Sequence, residues 1–124
     1  IIFFSEQNPQ SNLSDKKILL KNFKNDLRII NQQLPRDIDN FTTLTSVSLE
    51  KDIIVNRHTI KQTLSYEIVS AELSSKIREH LISTSCNNGA YLLFFKNGIK
   101  IKMSYFNTNS KQLFEITLDQ SSCE

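Results

Sequence analysis

The stretch SCNNGAYLLFFKNGIKIKMSY, Ser85 to Tyr105, decides the fold, because two structures compete for its middle. Ala90 to Phe95 is apolar at every position and runs into Lys96-Asn97-Gly98. An Asn-Gly pair between two apolar runs is a strong hairpin signal. The same pair closes helices, since Gly98 can take the left-handed cap conformation. A strand apolar on both sides needs cover on both faces, which a small two-layer domain does not provide. The preferred reading is a short buried helix over Ala90–Asn97 capped by Gly98; a strand is the alternative. Beyond it, Ile99, Ile101, Met103 and Tyr105 alternate with Lys100, Lys102 and Ser104, the pattern of a half-buried strand.

Downstream, a turn at residues 107–110 leads to a last strand with Phe114, Ile116 and Leu118 facing inward. Upstream, Ser70 opens a helix whose Leu73, Ile77, Leu81 and Ile82 form one stripe. Before that, His58 to Ile68 alternates, with Ile60, Leu64, Tyr66 and Ile68 on one face and Gln62 interrupting. Phe41 to Glu50 is rich in β-branched residues and places Phe41, Thr43, Thr45, Val47 and Leu49 on one side. Lys51–Asn56 reads as a turn plus an apolar patch, so these two strands form an antiparallel pair.

The first helix starts at Ser14, whose hydroxyl suits an N-cap, with Asp15 in its first turn. Leu13 and Ile18 are placed to staple that end. Leu20, Phe23, Leu27, Ile30 and Leu34 make an apolar stripe, and Pro35 ends the element. Together these elements predict an α+β fold: two layers, with an antiparallel four-stranded sheet carrying the N-terminal and central helices on one face. Residues 1–12 read as a flexible lead-in and 13–124 as a single domain. Ile1–Phe4 is too short to span a bilayer; it is the remnant of a signal or membrane anchor, or simply a first strand.

Apolar residues make up 39% of the chain and charged residues 23%, ordinary for a globular domain. The net charge of +2 is too small to argue for nucleic acid. Two glycines leave no phosphate-cradling loop. Two cysteines and two histidines show no ligand pairing, so no metal or other cofactor is expected. His58 and His80 read as polar surface positions.

Cys86 ends the second helix and Cys123 follows the last strand. An even count, one cysteine at an element end and one near the C-terminus, suits a disulfide in an exported protein. Two free thiols in a reducing cell are the alternative. A nucleophilic Cys86 would need a base, and His80, six residues earlier, lies off its helical face. Lys96, Lys100, Lys102 and Lys111 fall in the last hairpin with no acid between Lys96 and Lys111, so they are the candidate partner surface; a solvated sheet face is the plainer account.

From Leu34-Pro35 through Thr43-Leu44-Thr45-Ser46-Val47, Tyr66, Cys86, the run Gly98 to Tyr105, Phe114-Glu115-Ile116 and Cys123, the chain resembles small exported bacterial proteins with one cysteine pair and no assigned activity. That resemblance implies a periplasmic or secreted location and a bridge between Cys86 and Cys123, and it carries over no catalytic residue. The expected role is a non-catalytic extracytoplasmic binding or accessory module with a protein partner, in a secretion or envelope assembly. The alternatives are an inhibitor of a toxin or enzyme, a small hydrolase using Cys86 or a serine, and a membrane-proximal protein anchored before residue 1.

Overall fold

The computed structural model describes residues 16–61 and 72–124. The expected cap at Ser14, the lead-in, the Ile1–Phe4 segment, the strand positions from Gln62 to Ile68 and the helix start at Ser70 lie outside them.

Helix α1, Lys16–Gln32, forms where the stripe predicts a helix, and buries Leu19, Phe23 and Ile30 with Leu20 and Leu27 half-buried beside them. After a short strand β1, Arg36–Asp37, the chain enters β2, Thr42–Glu50, and β3, Ile53–Ile60. Helices α2, Ser74–Ser85, and α3, Gly89–Lys96, follow; then come β4, Lys100–Phe106, β5, Gln112–Leu118, and a 3-10 turn, Gln120–Cys123.

The sheet has five strands in chain order, not four, and it is mixed: β3 and β4 run parallel while the other pairs are antiparallel. The expected all-antiparallel sheet fails because the connection from Ile60 to Lys100 holds α2 and α3. A parallel crossover needs a link of this kind. The β2–β3 turn is also tighter than expected. Glu50 pairs with Ile53, so Lys51-Asp52 alone makes the turn, with Lys51 at φ 59°, and the apolar patch Ile53–Val55 belongs to the strand.

On β2 the inward face changes sides. A register shift between Leu44 and Ser46 makes Thr45 an extra residue. A bulge of one residue reverses the side-chain parity beyond it. Thr42 and Leu44 are therefore buried before the bulge and Val47 after it, while Phe41, expected inside, is exposed.

Helices and sheet enclose one cluster that joins Phe23 of α1, Leu44, Ile54, Ile101, Met103 and Ile116 of the sheet, and Leu81, Tyr91, Phe94 and Phe95 of α2 and α3. Phe23 and Phe94 meet edge to face at 6.0 Å. His58, expected at the surface, is 0% exposed. It shares the inward side of β3 with Ile54, Asn56 and Ile60, and its ring stacks on Tyr105 at 4.6 Å, which stacks on Phe114 at 4.7 Å. Neither ring nitrogen has a hydrogen-bond partner among the described residues, nor does the Asn56 side chain. Burial pushes the imidazole down to about 4; the backbone of Ser104 and Asn56 favours the charged form and is outweighed. His80 is exposed on α2.

Candidate functional site

Three segments build an open groove. The first is α3. Asn88 caps its start, accepting from the N–H groups of Ala90 and Tyr91 at 3.0 and 3.1 Å. At its end Gly98 takes φ 79°, the Gly98 N–H donates to the Phe95 carbonyl, and the Ile99 N–H donates to the Phe94 carbonyl at 2.9 Å. This paired closure is the Schellman geometry, and it requires the left-handed residue that glycine supplies cheaply. The cap turns the chain into β4 and brings Lys100 beside the last turn of α3. Tyr91, Phe94 and Phe95 pack inward, whereas Leu92 is left 41% exposed.

The other two segments are the start of β4 and the C-terminal 3-10 turn. Asp119 organises that turn. Its N–H donates to the Ser122 hydroxyl at 3.1 Å, and its carboxylate accepts from the Ser121 hydroxyl at 2.6 Å. The Ser121 bond, together with the backbone amides of Ser122 and Ser121 and nearby Lys100, holds the Asp119 carboxyl below the usual range. The disulfide Cys86–Cys123, Cα to Cα 5.5 Å, ties the turn to the end of α2.

One lobe of the groove, about 540 Å³, is lined by Phe95, Lys96, Lys100, Asp119, Ser121 and Glu124 among others. A second, about 280 Å³, adds Leu92 and Cys123 and shares Phe95, Lys96, Gln120 and Glu124. Phe95 is the buried floor of both.

The four lysines of the expected surface sit on α3 and along the β4–β5 hairpin. Lys96 and Lys100 line the same lobe. Lys102 follows Lys100 on the same outward side of β4 and sits 3.9 Å from Glu115. Lys111 lies in the turn at the far end of the β4–β5 hairpin, where its N–H donates to the Asn107 side chain. The seven residues of β4 begin at Lys100 and end at that turn, a span of roughly 20 Å. Sequence reasoning missed Leu92, Asp119 and Ser121. The signal for the last two is Asp119 three residues before Ser122, a capping pattern at the end of a strand.

Chemically, the groove offers an apolar floor, two ammonium groups and two carboxylates, of which Asp119 is bonded within its own turn. Both sulfurs are in the bridge, so Cys86 presents no thiolate nucleophile. Ser121 spends its proton on Asp119. No helix among the described residues is long and apolar enough to cross a membrane.

No family model matches the chain. No characterised protein matches it by sequence. Solved structures do match. A protein described as secreted, from Pseudomonas aeruginosa, is 18% identical with a TM-score of 0.73, over 93% of this chain and all of that one. EpsS, the pilotin of the Vibrio vulnificus type 2 secretion system, is 12% identical with a TM-score of 0.69, over 92% and 98%. AspS, a type II secretion pilotin from Vibrio cholerae, is 15% identical with a TM-score of 0.62, over 92% and 94%. At these identities the likeness shows a common fold.

Proposed function

We propose that this chain is a non-catalytic binding module, periplasmic or secreted, that serves as an accessory component of a secretion or envelope assembly. The observation that carries the reading is the fold held in common with two type II secretion pilotins over 92% of this chain. The disulfide supports an oxidising compartment, where such bonds persist. The groove supports a protein partner, because it sets exposed Leu92 beside charged groups of both signs, the composition of a small interaction site.

The test is capture of the tagged, full-length protein from native envelopes, with the bound proteins identified by mass spectrometry. The expected result is enrichment of an envelope or secretion component, with the tagged protein itself in the extracytoplasmic fraction. Recovery of the protein in the cytosol with its cysteines reduced contradicts the reading.

A further inference from the structure

Asn56 and His58 stand two residues apart on β3 and face the same way, into the core, where both are 0% exposed. Across the sheet Asn56 lies between Val47 of β2 and Met103 of β4, and His58 lies between Leu44 and Tyr105. Val47, Met103 and Leu44 carry no polar side-chain atom, and Tyr105 meets the imidazole with the face of its ring. Among the described residues, Asn56 Nδ2 and Oδ1 and both His58 ring nitrogens have no hydrogen-bond partner, so the two side chains do not bond each other either.

The backbone around them is already engaged. The Lys100 N–H donates to the Asp52 carbonyl at 3.0 Å. Carried along the parallel register, that ladder gives the Asn56 carbonyl to the Ser104 N–H and the Ser104 carbonyl to the His58 N–H. Four polar atoms left dry in one place would cost a large share of the stability of a small domain.

We propose that Asn56 and His58 form an interior water site in the core beside β3. Side chains two residues apart on a strand start roughly 7 Å from each other. Their reach narrows that gap to the roughly 6 Å that one water spans between two hydrogen-bonding groups. The chemistry suits water, because the pair holds both kinds of group. Nδ2 donates, Oδ1 accepts, and a neutral imidazole does one of each. A metal ion finds no set of three ligating side chains among the described residues. An apolar ligand would leave all four atoms unpaired. Buried waters of this kind settle where otherwise unpaired polar groups converge. The site is independent of the binding-module reading.

The experiment records Overhauser cross-peaks between water and the Asn56 side-chain amide protons in the oxidised, isotope-labelled, full-length protein. The expected result is cross-peaks with the negative laboratory-frame sign of a molecule that tumbles with the protein. They should persist in Tyr105→Phe, which removes the exchangeable hydroxyl of the neighbouring ring. Asn56→Val should lower the denaturation midpoint, because it takes a partner from the water and leaves His58 alone with it. In a dry core the same change removes two orphaned atoms and raises the midpoint. No water cross-peak at Asn56, cross-peaks lost in Tyr105→Phe, a raised midpoint in Asn56→Val, or a through-bond coupling that reveals a direct Asn56–His58 hydrogen bond would each overturn the proposal. Should Asn56→Val fail to fold, the cross-peaks of the parent protein still decide.

Discussion

The carboxamide of Asn31 bonds both backbone groups of Val47: Nδ2 donates to the carbonyl at 2.8 Å and Oδ1 accepts from the N–H at 3.0 Å. A helix side chain thereby stands in for a neighbouring strand on the edge of β2 beyond its short pairing with β1. Unpaired edges invite association with other chains. Asn31→Ala should lower the unfolding free energy by about 1–3 kcal/mol. Denaturant titration reads the loss, and light scattering should show more self-association; an unchanged midpoint contradicts the role.

The disulfide fixes one wall of the groove. A Cys86→Ala/Cys123→Ala variant should lose about 4 kcal/mol in the chain-entropy picture, with 2–5 the range for small domains. Hydrogen exchange should rise most at Gln120–Cys123, because Cys123 is the covalent tie of that turn. Exchange that rises equally over β3 and β4 contradicts a local clamp.

His58 gives the fold an acid-sensitive core. Its imidazole titrates near 6.5 when unfolded and about 4 when folded. Between those values the unfolded chain binds more protons, so stability falls as pH drops through that window. Above it this group has no effect. The loss approaches roughly 3 kcal/mol at pH 4. His58→Phe retains a ring against Tyr105 and should flatten the dependence of melting temperature on pH between 6.5 and 4. A variant with the same slope as the parent contradicts this.

The two glycines should respond in opposite ways. Gly98 is held at φ 79°, and an added Cβ would meet only Lys16 Nζ at 3.6 Å, an ordinary contact. The cost of Gly98→Ala is therefore conformational, about 1–2 kcal/mol. Gly89 begins α3 with open space around its missing Cβ, so Gly89→Ala should be neutral or stabilise by up to about 1 kcal/mol. Equal effects of the two would contradict the cap.

Much of the fold is legible where one signal dominates locally. The stripe through Phe23 and Ile30 places α1, and Asn97-Gly98 closes α3 because the residues before it cannot all be covered in a strand. What escapes is set by tertiary pairing. Nothing in Thr45 itself announces a bulge, yet that residue decides which side of β2 faces the core. Lys51-Asp52 carries no glycine, so the turn was legible only from the strands around it. His58 breaks the rule for a titratable side chain, although counting by twos from Ile54 to Ile60 puts it inside. The groove is half legible: Lys96 and Lys100 stand in the sequence, but their meeting in one lobe depends on the cap at Gly98, and Asp119 and Glu124 join them only through the C-terminal turn.

Site-specific photo-cross-linking at Leu92, in cells that express the full-length protein, tests the central claim most directly. A photoreactive residue at position 92 should yield a discrete cross-link to an envelope protein, while the same residue at exposed Ser75 of α2 should give none. Equal cross-linking from both positions, or none from position 92 while the partner is still captured, would contradict it.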